Sequence, residues 1–89
     1  MEIKHEQSAK EFVIEIDGQK AYVEYSIHDD SLDVLHTIVP KSLEGQGIAG
    51  TLVKEAYDYA IKEDLRPLAT CSYAKVWLMR HPDYIKGEQ

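Results

Sequence analysis

The chain has 89 residues, of which 44% are hydrophobic and 29% are charged, and its formal net charge is −6. This length supports one thin hydrophobic core, which predicts a single domain over residues 1–89, and the acidic balance argues against a row of cations that would neutralise nucleic-acid phosphates. No apolar run reaches the roughly 18–20 residues that cross a bilayer, and the first residues lack the apolar segment of a signal peptide, so we expect a cytoplasmic protein without nucleic-acid or membrane partners.

The first half of the chain predicts an antiparallel β-meander. Apolar and polar residues alternate in three segments, as they do in half-buried strands: residues 12–16, 21–27 and 32–39. Gly18 tolerates the positive φ of a tight turn between the first two strands. Pro40 ends the third strand because it has no N–H for a ladder. Residues 2–5 are expected to add a short edge strand.

The segment from Ile48 to Ile61 predicts an amphipathic helix. Its apolar residues recur at spacings of three, four and seven, which places them on one helix face. Pro67 requires the chain to leave the helix by Arg66, since the residue before a proline is disfavoured in the α region.

The residues that follow predict a strand over 68–71 and a helix over 73–80. Ser72 is the expected N-cap of that helix, His81–Pro82 its stop, and Lys86–Gln89 a frayed tail. Strand, helix and strand form a crossover, so the last strand should run parallel to the third strand of the meander. The predicted fold class is therefore α/β (α+β), an antiparallel β-meander followed by a βαβ crossover and a short C-terminal helix.

Three glycines, Gly45, Gly47 and Gly50, lie between the third strand and the long helix. Unpaired amides at a helix start carry the positive end of the helix dipole and suit an anion such as a phosphate. The glycines also fit the G-x-G-x-x-G pattern of dinucleotide sites, but such sites need a parallel βαβ unit and an acid after the second strand. The meander and residues 68–71 supply neither. The alternative is a loop whose glycines serve only a tight turn and close helix packing.

From Ile38 to Leu52 the sequence is similar to the acetyl-CoA motif of the GNAT acetyltransferase superfamily. In that motif, Val-x-Pro is followed by Arg/Gln-x-x-Gly-x-Gly/Ala and then by a helix. The residues that match are Val39, Pro40, Gly47 and Ala49. Glu44 stands where the family usually has Arg or Gln, and we expect its side chain to point outward, leaving the backbone amides to bind.

Over Phe12–Tyr84 the chain further resembles the very small GNAT-like N-acetyltransferase-domain proteins, with which it shares His36-Thr37 and the segment Cys71–Ala74. The resemblance implies one minimal GNAT-like acetyltransferase domain that binds acetyl-CoA, with the pantetheine arm along the strand that ends at Val39. The cofactor-binding residues that it implies are Ile38, Val39, Gly45, Gln46, Gly47, Ile48, Ala49 and Gly50.

The function implied by this resemblance is an acetyl-CoA-dependent N-acetyltransferase acting on an amine, either a small molecule or a protein. The alternative is a non-catalytic coenzyme A-binding or protein-interaction module that keeps the fold, because the helices that shape the acceptor site in larger relatives are missing. Charged residues along the exposed edge strands disfavour pairing between copies, so we expect a monomer.

Three side chains are candidates for the chemistry of acetyl transfer. Cys71 ends a strand and precedes a helix, so it either accepts the acetyl group as a thioester or only lines the pocket as a small hydrophobe. His36 is a candidate general base, and Tyr73 a candidate acid for the departing thiolate; structural roles are the alternative for both. The other histidines are expected at solvated turns or ends: His5, His28 and His81. A single cysteine and scattered histidines predict no metal site.

Overall fold

The structure, a computed structural model, describes residues 1–86. Its elements in chain order are β1 (Lys4–Glu6), β2 (Glu11–Ile16), β3 (Gln19–His28), β4 (Ser31–Ile38), α1 (Ile48–Lys62), β5 (Arg66–Ala69), α2 (Ser72–Arg80) and α3 (Asp83–Lys86), with single 3₁₀ turns at Gln7–Ala9 and Lys41–Leu43. The meander, the long helix and the final strand–helix pair predicted from the sequence are confirmed. Within residues 1–86, no helix combines the length and apolar character needed to span a membrane.

The five strands form one sheet in the order β1-β2-β3-β4-β5. The first four are antiparallel neighbours, whereas β5 runs parallel to β4, with Ser31 opposite Arg66 and Val34 opposite Ala69. The predicted parallel crossover is therefore confirmed. The strand itself lies two residues earlier than the expected 68–71, because the Arg66 amide pairs with the Asp30 carbonyl at 2.8 Å and an edge strand tolerates a proline at its second residue.

The core lies between one face of the sheet and the helices. It is built from alternate residues of the strands, from the second 3₁₀ turn and from the apolar stripes of α1 and α2: Phe12, Ile14, Ala21, Val23, Tyr25, Leu32, Val34, Leu43, Ile48, Leu52, Val53, Ala56, Tyr57, Ala60, Ala74, Trp77 and Leu78. Each large apolar side chain buried here stabilises the fold by roughly 1.5–3 kcal/mol. Residues of the opposite sheet face, such as Glu15 and Lys20, are exposed.

A β-bulge interrupts the pairing of β3 with β4. Tyr25 is opposite Val34, but its neighbour Glu24 is opposite His36, so Leu35 is an extra residue on β4. A bulge of this kind reverses the alternation of side chains from that point onward. Val34 therefore faces the core before the bulge and Thr37, opposite Val23, faces it after the bulge. His36 points to the other face of the sheet.

The start of α2 differs from the sequence expectation. The N-cap is Cys71, not Ser72, and no side chain caps the helix. The cause is local, because the Cys71 N–H is already bonded to the Val34 carbonyl at 3.0 Å, and the Cys71 carbonyl accepts the Lys75 N–H at 3.0 Å. The helix stops at His81 as expected. Of the expected frayed tail, Lys86 is the last residue of α3, and residues 87–89 lie outside the described part of the chain.

His5 is half-buried, whereas the sequence predicts a solvated side chain. Its ring stacks on Phe12 with centroids 4.0 Å apart, and its Nε2 lies 2.6 Å from the Tyr25 hydroxyl. Burial lowers the pKa of His5, and the nearby Glu55 carboxylate opposes that shift. The ring of His81 is exposed but stacks on Trp77, whereas His28 is exposed at a strand end.

Candidate functional site

The sheet opens where β4 and β5 part. The two strands pair only up to Val34 and Ala69. Beyond that point β4 continues to Ile38, whereas the segment after β5 turns into α2. A cleft of about 210 Å³ lies where the loop after β4 meets the starts of α1 and α2. The residues that line it are Val39, Leu43, Glu44, Gly45, Gly47, Ile48, Ala49, Gly50 and Tyr73.

The first turn of α1 faces this cleft without a side-chain cap. Gly47 is the N-cap, and the first turn contains no acidic residue. The Thr51 N–H and hydroxyl both bond the Gly47 carbonyl, at 3.1 and 2.9 Å. The amide groups before Thr51 thus keep donor capacity toward the cleft, where the positive end of the helix dipole adds to their attraction for an anion.

The loop glycines are required by backbone conformation and not by close packing. Gly45 and Gly47 have φ of 84° and 76°, the left-handed region that other residues enter at a cost of roughly 1–2 kcal/mol. A Cβ at either position would meet no atom within 4 Å, so both face open space. Gly50 is different, because its Cβ would come 3.3 Å from the Tyr73 hydroxyl. Close packing therefore accounts for Gly50 alone.

Most of the residues implied to bind the cofactor lie together. Six of them line the cleft: Val39, Gly45, Gly47, Ile48, Ala49 and Gly50. Ile38 and Gln46 are not among its lining residues, and Ile38 is 46% exposed on the sheet face that carries His36. Glu44 was expected to point away, yet it is an exposed residue that also lines the cleft. Leu43 belongs to the same wall and was missed, since nothing in the motif marks it.

The thiol of Cys71 is half-buried and lies 3.5 Å from the hydroxyl of Thr37. Thr37 comes from the part of β4 beyond the bulge, on the core side of the sheet, so the split between β4 and β5 brings the two side chains together. The sequence marks Thr37 only as part of the shared pair His36-Thr37 and predicts no role for it. Neither that pair nor its place two residues from Val39 can show which way the side chain of Thr37 points.

Tyr73 and His36 end up on different sides of the site. Tyr73, in the first turn of α2, is 45% exposed and lines the cleft beside the glycine loop. His36 is exposed and lies directly across from Glu24 on the sheet face opposite Thr37. The structure therefore brings Cys71 close to Thr37 and Tyr73 close to Gly50, but it does not bring His36 to either pair.

A buried tyrosine of α1 is hydrogen-bonded to this end of the sheet. The Tyr57 hydroxyl donates a hydrogen bond of 2.6 Å to the Leu68 carbonyl on β5, and the residue is fully buried. Burial raises the pKa of Tyr57 well above its usual range, and the neighbouring Asp33 and Cys71 raise it further. Tyr57 therefore stays a neutral donor, and its role here is to hold β5 on α1.

A β-meander, a glycine loop opening into an uncapped helix and a last parallel strand that splits from its neighbour together define an α/β protein with an anion-binding cleft at the end of its sheet. The family model described as GCN5-related N-acetyl-transferase matches residues 11–87, and the chain belongs to this family. The resemblance and the fold class predicted from the sequence are thereby confirmed.

Individual relatives agree with this assignment. The chain is 31% identical to Protein NATD1 of Danio rerio over 91 residues, covering 97% of this chain and 83% of that protein. It is 31% identical to Protein NATD1 of Bos taurus over 83 residues, covering 90% of this chain and 74% of that protein. Among solved structures, the NMR structure of a GCN5-like protein from Staphylococcus aureus superposes with a TM-score of 0.73 at 32% identity, covering 93% of this chain and 82% of that one.

Proposed function

We propose that this protein is an acetyl-CoA-dependent N-acetyltransferase that transfers the acetyl group to an amine, either a small molecule or a protein. Acetyl-CoA is the general acetyl donor of the family to which the chain belongs. The observation that carries the proposal is the uncapped start of α1, which opens onto a cleft formed where β4 and β5 separate.

The residues of the cleft fit the donor's charged end. Backbone amides in the first turn of α1 would hold the pyrophosphate, and Gly45 and Gly47 leave open space where a Cβ would stand. Glu44 opposes this attraction, so the cradle depends on the amides and the helix dipole. Because β5 pairs with β4 only up to Val34, the rest of that β4 edge is free to pair with the amide groups of a pantetheine arm, as an added strand would.

When bound, acetyl-CoA supplies a thioester whose carbonyl carbon accepts the lone pair of a neutral amine. Transfer would require the amine to lose a proton and the coenzyme A sulfur to gain one as the carbon–sulfur bond is exchanged for a carbon–nitrogen bond, so the chain's own part is to move these protons. Tyr73 is the candidate donor of that proton because its hydroxyl lies at the cleft beside Gly50. Cys71 would either receive the acetyl group first or shape the pocket together with Thr37. His36 is available only to an acceptor on the opposite sheet face.

Binding and turnover are separate tests of this proposal. Acetyl-CoA affinity would be measured by calorimetry for the wild type and for Gly47→Glu, with Gly18→Glu as the matched control. Gly18 has a φ of 77° and open space around its Cβ, as Gly47 does, but it lies in the β2–β3 hairpin. We expect Gly47→Glu alone to lose binding. Equal losses in both variants, or no loss in Gly47→Glu, would mean that the phosphate cradle is wrongly placed.

Turnover would be followed as release of the coenzyme A thiol with a panel of small amines and lysine-containing peptides, for the wild type, Cys71→Ser and Tyr73→Phe. An acetylated protein mass that disappears in Cys71→Ser would support the thioester route, whereas full activity in that variant would support direct attack by the amine. Tight binding with no turnover on any acceptor would contradict the enzyme proposal and favour the coenzyme A-binding module.

A further inference from the structure

The carboxylate of Asp33 holds the turn between β5 and α2 with both of its oxygens. Its Oδ1 accepts the Thr70 N–H at 2.7 Å, and its Oδ2 accepts the Thr70 hydroxyl at 2.7 Å. Asp33 lies on β4 directly across from Leu68, so it reaches Thr70 just past the end of the ladder. Bonds to an ionised acceptor are stronger than those between neutral groups, and two of them fix a direction as well as a distance.

The same turn is held at two further points. The Val34 carbonyl accepts both the Thr70 and the Cys71 N–H at 3.0 Å, and Tyr57 holds the Leu68 carbonyl from the side of α1. Among these groups only the Asp33 carboxylate accepts a hydrogen bond from a side chain of the turn, the Thr70 hydroxyl. Thr70 is exposed, which excludes core packing as the reason for its position.

Two candidate groups of the site follow directly from this turn. Cys71 is the next residue and is the N-cap of α2, with its thiol against Thr37. Tyr73 lies two residues further, with its hydroxyl over Gly50 at the cleft. A change in the direction in which the chain leaves β5 would therefore displace both groups relative to β4 and α1.

We infer that Asp33 is a positioning residue: through Thr70 it sets the start of α2 and thereby places Cys71 against Thr37 and Tyr73 at the cleft. The consequence for acetyl transfer rests on the proposed function. The consequence for the turn itself does not depend on any activity.

The kinetic test separates positioning from binding. Asp33→Ala removes both acceptors, and Thr70→Val removes only the hydroxyl donor. We expect kcat to fall about tenfold in Asp33→Ala and less in Thr70→Val, since one hydrogen bond to a charged group corresponds to about that factor. KM for acetyl-CoA should stay within about twofold, because the amides of α1 are untouched. Thr70→Ser should restore kcat, and Asp33→Asn should restore part of it.

Tyr84→Phe is the matched control. It removes a hydrogen bond of 2.6 Å to the Asp58 carboxylate and keeps the ring. The variant therefore loses a comparable hydrogen bond to a carboxylate, at a place away from the turn. If Asp33→Ala and Thr70→Val retain wild-type kcat, or if Tyr84→Phe lowers kcat as much as they do, the inference is wrong. A rise in KM with unchanged kcat would overturn it as well.

A second measurement needs no activity. Cys71 is the only cysteine, so its alkylation by iodoacetamide can be timed by intact mass, together with amide hydrogen exchange at Thr70 and Cys71. We expect both rates to rise about tenfold in Asp33→Ala and to equal the wild-type rates in Thr70→Ser.

Unchanged rates would refute the inference even if the enzyme is active. Inactivity of the wild type would refute the proposed function and leave these rates as the test. If Asp33→Ala fails to fold, the Thr70→Val and Thr70→Ser pair decides.

Discussion

The hydroxyl of Tyr57 offers a direct measurement of how β5 is attached to α1. Replacing it in Tyr57→Phe removes the bond to the Leu68 carbonyl and keeps the buried ring in place. The free energy of unfolding should fall by about 1–2 kcal/mol, in the lower part of the range for an orphaned group, because Leu68 lies on the edge strand β5 and is 37% exposed.

The same variant should also change the stability at high pH. Because the pKa of Tyr57 is raised in the folded protein and ordinary, near 10, in the unfolded chain, the unfolded state alone releases this proton above pH 10. The contribution of the protonated Tyr57 hydroxyl to the free energy of unfolding is therefore fully present below pH 10 and is lost as the pH rises above it. At pH 11 the loss from this one group is about 1.4 kcal/mol. Tyr57→Phe should lack that part of the decline, so the gap between the two proteins should narrow.

Urea unfolding followed by Trp77 fluorescence would check this, because the Tyr57 and Trp77 rings lie 5.8 Å apart in the fold. The two proteins would be compared at pH 8 and pH 11, with Tyr22→Phe as a control for the loss of a tyrosine hydroxyl from the sheet. The reasoning is refuted if Tyr57→Phe is as stable as the wild type at pH 8. It is equally refuted if the difference between the two proteins is the same at both pH values.

Two further outcomes are expected. Because burial lowers the pKa of His5, its contribution to stability is present above the ordinary value near 6.5 and is lost as the pH falls below it. His5→Gln should therefore flatten the pH dependence of urea unfolding between pH 7 and pH 5, and an unchanged slope would contradict this. Leu52 is completely buried on α1, so Leu52→Ala should cost about 2–5 kcal/mol in the same assay, whereas a loss below about 1 kcal/mol would mean that the core is loosely packed.

The sequence predicts best what depends on neighbouring residues. The alternation in the meander, the stripe of α1 and the glycine loop are local patterns, and each corresponds to an observed element. The bulge at Leu35 has no such pattern, because it arises from the pairing of β4 with β3. An uninterrupted alternation would place His36 on the face of Val34, and the bulge instead turns Thr37 toward Cys71.

Contacts between distant residues were the other part that could not be predicted. Asp33 and Thr70 are 37 positions apart, and nothing in either segment marks the other as its partner. The N-cap of α2 was misplaced by one residue for the same reason, since the Val34 carbonyl, and not a local serine, determines where the helix begins. The short helix α3 likewise depends on packing, with Tyr84 against Trp77.

Because of the bulge, the face of the sheet on which a β4 side chain lies depends on the register of the strand as well as on residue type. If the ladder ran on without the bulge, so that Leu35 paired with Glu24, every later side chain of β4 would change sides. Thr37 would then leave Cys71, and His36 would turn inward, although no chemical group had been substituted. In this family member, therefore, the register of β4 against β3 decides which side chains face the site, and a comparison of residue types alone would overlook it.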